Sequence, residues 1–362
     1  MSEATEQAKT NPFGKIAGEF GEEVKRGQMR WRNFVRLLQG YKPPIGATPS
    51  DIVFRRNKLT MRRYYRSPEV IENSPKTLPV LLVPSVINRS YILDLQPGKS
   101  VVEFLANSGL DVFLLDWGKP SAEDQYQTFD DYIEHLLKAA IRKVQRLTGH
   151  DRIHLVGHCL GGMLTLTYAA LYPQDIGAML NMTTPVDLRH GGILKTWTQP
   201  MDPDLMVDAL GNAPWPLLQA SFHMLKPMLQ LQKTAWIYER LWDDNTIDSF
   251  ISLETWSNDN VHIAGEFFRT YIREIYQNNA LYNGTLVVKG RKADISTLQH
   301  PMMNVAAKGD HIAPEASVVG LIDRMPQTQN LVLPGGHIGA VISRRAAKKL
   351  WPQLVEFFQK HN

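Results

Sequence analysis

The hexapeptide Gly157-His158-Cys159-Leu160-Gly161-Gly162 contains the only cysteine of the chain. It follows a short apolar run at 153–156 and precedes an Ala/Leu-rich run at 163–171. Strand, tight turn and helix in that order build the G-x-S-x-G nucleophile elbow, with glycines where the backbone is too crowded for a Cβ. Here Cys replaces Ser. The elbow exposes its nucleophile at a helix N-terminus, where the dipole and free N–H groups favour a thiolate. A free cysteine can also be a buried, inert thiol; the flanking glycines and the strand–helix context favour the reactive reading.

A thiol nucleophile needs a base, and the base needs an orienting group. In elbow-bearing chains these follow in the order nucleophile, Asp/Glu, His. Asp310 lies in the turn Lys308-Gly309-Asp310-His311 and His337 in Pro334-Gly335-Gly336-His337-Ile338-Gly339, each just after a strand-like run. Both are expected on loops at the sheet edge that carries Cys159. Asp187, after the run ending near Thr183, competes for the acid role. Among other histidines, His311 adjoins Asp310 and would point elsewhere, His158 sits within the elbow, and His223 and His262 fall in a helical stretch. These read as surface or packed residues. The Leu160 N–H is the expected first oxyanion donor, with a second from the Ser85-Val86 region, the N–H of Val86.

Two other motifs fail on inspection. Pro97-Gly98-Lys99-Ser100 ends like a phosphate loop, but Leu93 stands where its first Gly should be. His190-Gly191-Gly192 resembles an oxyanion loop but comes after the nucleophile. No Cys/His/carboxylate cluster has metal-ligand spacing.

The elements that must position these residues alternate. Apolar runs at 78–83, 111–116, 153–156 and 178–183 are separated by helical stretches at 100–108 and 129–147, the pattern of a mostly parallel sheet with helices on both faces. The 51–65 segment reads as an edge hairpin turning at Asn57-Lys58, its Arg55/Arg56 and Arg62/Arg63 pairs either steering phosphates or, the favoured reading, guarding the edge. From 185 to about 299 the chain becomes helical and carries five of the eight tryptophans, Trp197, Trp215, Trp236, Trp242 and Trp256. This is an expected cap, its tryptophans lining a substrate channel or forming the cap's own core. Strand-like runs return at 302–307 and 330–333, with helices at 318–325 and 351–361. The expected divisions are thus an N-terminal arm (1–50), a core in two parts (51–184 and 300–362) and the cap insertion (185–299). Within the arm, 24–38 reads as a basic helix bearing Arg26, Arg30, Arg32 and Arg36, either a contact surface or a solvated face.

The 362 residues, 43% hydrophobic and 21% charged, have the composition of a soluble globular protein. A single cysteine excludes an intramolecular disulfide and suits a reducing cytosol. The first twelve residues include Glu3 and Glu6 and lack the apolar centre of a signal peptide; the greasy stretch at 78–87 is too short to span a bilayer. A net charge of +4 does not argue for nucleic acid but suits an anionic substrate such as a coenzyme A ester.

The cysteine also tilts the chemistry. Its attack on a coenzyme A thioester gives another thioester, so the acyl group stays activated and a hydroxyl can take it downhill to an ester. A serine nucleophile would lose that activation one step early. Acyl transfer is therefore favoured over hydrolysis.

The chain resembles the polyhydroxyalkanoate synthases, especially the short catalytic subunits of the two-component class. The similar stretches are Pro84-Ser85-Val86-Ile87-Asn88-Arg89 with Tyr91-Ile92-Leu93-Asp94-Leu95, the elbow itself, Thr184-Pro185-Val186-Asp187, Tyr276-Gln277-Asn278-Asn279, Gly309-Asp310-His311-Ile312 and the loop holding His337. They run in order over roughly residues 50–362. Ser85-Val86 departs from a more usual second proline, and His158 is not the commonest neighbour of the nucleophile. The resemblance implies an α/β-hydrolase fold and a cytoplasmic enzyme joining (R)-3-hydroxyacyl-CoA units into polyester, needing no cofactor beyond the coenzyme A thioester substrate. Cys159 would carry the acyl chain, His337 act as base, and Asp310 orient His337 or also help activate the incoming hydroxyl. It further implies work at the polymer-granule surface, a homodimer and a second synthase subunit. Two readings stand beside it: a cysteine-dependent hydrolase (thioesterase or polyester depolymerase), and a non-catalytic granule-binding protein.

Overall fold

The computed structural model describes residues 12–362; the part of the expected arm at 1–11 lies outside the described residues. Contacts divide the chain into two compact units. One holds helix α1 (Pro12–Leu38) and the loop to Pro44 together with Lys226–Thr255. Its packing explains the basic residues of α1. Arg32 pairs with Asp244 at 2.5 Å, Arg36 lies 3.4 Å from Asp248, and the guanidinium of Arg26 sits 4.8 Å over the Trp242 ring. The buried Asn33 side chain donates to the Leu241 carbonyl at 2.8 Å. Ile16, Phe20, Val24, Trp31 and Leu38 remain exposed.

The second unit, Ile45–Leu225 with Trp256–Asn362, contains the sheet. Its strands are β1 (Ser50–Arg56), β2 (Leu59–Tyr64), β3 (Val80–Val83), β4 (Val112–Asp116), β5 (Ile153–His158), β6 (Ile176–Met182), the short pair β7 (Val287–Val288) and β8 (Arg291–Lys292), β9 (Met302–Ala307) and β10 (Thr328–Leu333). Eight of them form one sheet in the order β1-β2-β4-β3-β5-β6-β9-β10, and β7-β8 stand apart. The β1–β2 hairpin, turning at Asn57 with φ 51°, joins the sheet antiparallel to β4; every pair from β4 to β10 is parallel. Continuous apolar strands such as Val80–Val83 are buried throughout, as parallel strands covered on both faces must be.

Side-chain alternation along β5 locates the two layers. His154 points to one face and stacks on Phe358 of the C-terminal helix Trp351–Lys360, with ring centroids 4.8 Å apart. Gly157 points to the other, against Gly162 and Thr165 of the helix after the elbow. The cap segments of this unit contain the helix Gly192–Thr198 and a π-helical turn, Tyr271–Gln277. Among the described residues no helix is long and apolar enough to cross a membrane.

Candidate active site

Parallel strands end at a common edge, and the turns that leave it carry the reactive groups. Cys159 sits between β5 and the helix α2 (Leu160–Leu171) at φ 55°, ψ −127°, a conformation that L-residues rarely adopt. It is pinned there. Its N–H donates to the Met182 carbonyl at 2.9 Å, and its own carbonyl accepts from Gly162 N–H and the Thr184 hydroxyl, both at 3.0 Å. The glycines are steric necessities. A Cβ on Gly157 would lie 2.2 Å from Gly162 Cα, and one on Gly161 2.1 Å from the Val83 carbonyl oxygen.

Asp310 follows β9 and His337 follows β10. The two loops are tied by Lys308 N–H to the Leu333 carbonyl at 2.9 Å and Gly309 N–H to the Gly335 carbonyl at 2.8 Å. His337 Nδ1 lies 2.7 Å from Asp310 Oδ2. Asp310 Oδ1 accepts from the Ile312 and Ala313 N–H groups at 2.8 and 2.9 Å, so the carboxylate cannot turn. The His337 ring also feels the charge of the Cys159 sulfur. Its burial disfavours a charge, but the Cys159 and Asp310 charges with the Asp310 hydrogen bond outweigh burial and raise the imidazole pKa to about 10. The carboxylate thus holds the imidazole, and the ring and the sulfur act on each other's charge, a group able to remove a proton from sulfur and hold it.

Leu160 is the first residue of α2, where helical N–H groups lack intrahelical acceptors. Val86 is buried on the loop after β3, and that loop is held by Trp117 Nε1 donating to the Pro84 carbonyl at 2.9 Å and by Ile87 N–H donating to Ser85 Oγ at 3.2 Å. Both residues belong to the apolar cluster against which Cys159 packs.

The competing acid is elsewhere engaged. Asp187 caps a short helical turn and binds Arg189 through both oxygens, at 2.9 Å (Nε) and 2.7 Å (Nη2), with Asn279 Nδ2 at 3.4 Å. His311 and His223 are exposed. His158 is buried with neither ring nitrogen hydrogen-bonded, 5.9 Å from the His337 ring; burial, then the His337 charge, pushes its pKa down to about 3.

Two residues beside the site are given no role by sequence reading, although Tyr276 opens the family-like stretch Tyr276-Gln277-Asn278-Asn279. Tyr271 and Tyr276 are buried, and both sense the charge of the Cys159 sulfur. They are five apart, a spacing that α-helical periodicity assigns to different faces, so only the π winding of the turn reveals the pair. Of the cap tryptophans, Trp256 is buried and donates to the Arg89 carbonyl at 2.8 Å, whereas Trp236 is exposed.

Residues 79–341 match the alpha/beta hydrolase fold family, and residues 42–105 match the poly-beta-hydroxybutyrate polymerase (PhaC) N-terminus. A candidate lipase from Sulfolobus solfataricus shares the fold, with a TM-score of 0.58 at 14% identity over 87% of this chain and 99% of that one. The poly(3-hydroxyalkanoate) polymerase subunit PhaC of Allochromatium vinosum is 36% identical over 88% of this chain and 90% of its own length. The proteins of the same name from Synechocystis and Thiocystis violacea are 34% and 33% identical, with 85% and 92% of their lengths covered. With the elbow cysteine in an α/β-hydrolase sheet and likeness at this level along nearly the whole of both chains, the protein belongs to the poly(3-hydroxyalkanoate) polymerase PhaC family.

Proposed function

We propose that the chain polymerises (R)-3-hydroxyacyl-CoA into a polyester with release of coenzyme A, through an acyl group carried on Cys159. The observation that carries this reading is the line from Asp310 through His337 to the sole cysteine, in a chain whose relatives are named as polymerase subunits. Because His337 Nδ1 faces Asp310, Nε2 is left for the sulfur. His337 takes the thiol proton, and the sulfur attacks the thioester carbonyl carbon. The resulting oxyanion is held by the N–H groups of Leu160 and Val86. Collapse breaks the carbon–sulfur bond to coenzyme A, whose sulfur takes the proton from His337 and leaves as the thiol.

The second half repeats the pattern with a different nucleophile. The 3-hydroxyl of another unit gives its proton to His337 while its oxygen attacks the Cys159 thioester. Loss of the Cys159 sulfur, which regains the proton, leaves a new ester bond. Asp310 orients the ring and balances the imidazolium charge in both halves. The reaction needs no cofactor beyond the thioester substrate.

The same reading places the protein in the cytoplasm at the surface of its insoluble product, as a homodimer working with a second synthase subunit. The exposed apolar row of α1 and the word "subunit" in the relatives' names support it.

Purified full-length protein mixed with (R)-3-hydroxybutyryl-CoA should release coenzyme A and turn turbid, and Cys159→Ser should do neither while keeping its fold. Free 3-hydroxybutyrate without polymer would instead identify a hydrolase. No release, with iodoacetamide labelling no faster than that of an unactivated thiol, would identify a non-catalytic binder.

A further inference from the structure

Two phenols beside the nucleophile have no part in the mechanism above. Tyr271 and Tyr276 open and nearly close the π-helical turn Tyr271–Gln277. In an α-helix residues five apart lie about 140° apart around the axis. The wider i→i+5 winding brings them to one face. Their rings meet edge to face with centroids 5.2 Å apart at 84°, and each phenol bears on the ionisation of the other.

The turn is fixed from behind. Lys195 Nζ donates to the Tyr276 carbonyl and, at 3.0 Å, to that of Gln277. The Gln277 amide donates to the Thr198 and Met201 carbonyls at 2.9 and 2.7 Å. Four hydrogen bonds to one short segment leave the phenols little freedom. Both rings belong to the apolar cluster against which Cys159 packs.

A phenol has one proton to donate. The Tyr276 side chain is buried, and a buried donor of this kind requires a partner. An acyl group on Cys159 brings two oxygens into this space. The carbonyl oxygen belongs to the N–H groups of Leu160 and Val86, which leaves the oxygen on C3. That oxygen is a hydroxyl in a first unit and an ester oxygen in a chain already begun. An ester oxygen only accepts, so a protein donor serves both states.

We propose that Tyr276, held by Tyr271, donates a hydrogen bond to the C3 oxygen of the acyl group on Cys159 and so selects 3-hydroxyacyl thioesters over plain acyl thioesters. This rests on the polyester-synthase reading. A site built to hydrogen-bond a substrate oxygen discriminates strongly against the analogue that lacks it, because its own polar group is then left unpaired.

The test is single-turnover release of coenzyme A by the full chain from (R)-3-hydroxybutyryl-CoA and from butyryl-CoA. The wild type should prefer the hydroxylated thioester, and Tyr276→Phe should narrow that preference at least tenfold. Tyr271→Phe removes the neighbouring phenol but keeps the Tyr276 hydroxyl; it should narrow the preference less, and it carries the test if Tyr276→Phe does not fold. A wild type without preference, or a preference unchanged in the folded variants, overturns this inference and leaves the synthase reading standing. A wild type that releases coenzyme A from neither thioester overturns both.

Discussion

Asp310 meets His337 with one oxygen and the backbone with the other: Oδ2 lies 2.7 Å from Nδ1 of the ring, while Oδ1 receives two N–H groups at 2.8 and 2.9 Å. That division of labour predicts the behaviour of Asp310→Asn. The two N–H groups would hold the amide oxygen in the Oδ1 position and turn the NH₂ toward His337. The ring would then have to accept at Nδ1 and carry its proton on Nε2, the nitrogen needed to accept from sulfur. Coenzyme A release should fall about 10³–10⁴-fold, as expected of a base in the wrong tautomer, while the far-ultraviolet circular dichroism stays unchanged. A folded variant within tenfold of the wild type would contradict the assignment.

The raised pKa of His337 is also a stability statement. Its ordinary value is about 6.5, and the folded value is about 10, because the Cys159 and Asp310 charges overcome the opposing effect of burial. Between these values the folded chain binds more protons than the unfolded chain, so stability falls as pH rises. The contribution is full below about pH 6.5 and is lost through about pH 10. His337→Gln lacks it. The stability difference between wild type and variant, from urea unfolding, should therefore shrink steadily across that window; a constant difference would refute the charge coupling.

The core strands and reactive loops were readable because their signals are local: short apolar runs, glycines at the elbow, and polar turns after strands. Three features depend on distant partners or on winding and were not. The basic helix expected at 24–38 begins at Pro12, its Gly18, Gly21 and Gly27 masking a helix that continues through them. Its Arg32 and Arg36 find Asp244 and Asp248 more than 200 residues along the chain, beyond any local pattern. The helix expected at 318–325 is Glu315–Val319 followed by a 3₁₀ turn, Gly320–Asp323. The site divides likewise. Cys159, Asp310 and His337 announce themselves by motif, whereas the Tyr271–Tyr276 pair exists only in the π winding.

Gly161 gives a steric prediction. A Cβ there would meet the Val83 and Pro84 carbonyl oxygens at 2.1 and 2.6 Å, and both are backbone atoms that cannot rotate away. Gly161→Ala must push α2 from the end of β3, the point where the loop carrying Val86 begins. We expect a loss of about 1–3 kcal/mol, the usual cost of overpacking, with slower coenzyme A release as Leu160 and Val86, the proposed oxyanion donors, separate. Gly339→Ala is the matched control, since nothing lies within 4 Å of its Cβ position; its urea midpoint should correspond to a change within about 0.5 kcal/mol.

Asp187 and Asp310 are both buried carboxylates near the same sheet edge, yet they should fail in opposite ways. Asp187 is held below the ordinary carboxylate range: burial opposes this, and the Arg189 hydrogen bonds and charge prevail. It also caps the turn Leu188–His190 through the Arg189 N–H at 3.1 Å. Asp187→Asn should therefore cost some stability: its amide oxygen can still accept the Arg189 N–H and keep the cap, but the charge that holds the guanidinium is gone. With its pKa depressed on folding, that contribution is present above about pH 4 and is lost as pH falls through the folded value. The difference from wild type should accordingly narrow in acid. Turnover by the folded Asp187→Asn protein should stay within severalfold of wild type, because its partners are Arg189, Asn279 and the exposed His190 rather than His337. If Asp187→Asn instead abolished coenzyme A release while Asp310→Asn spared it, the acid that serves His337 would be Asp187.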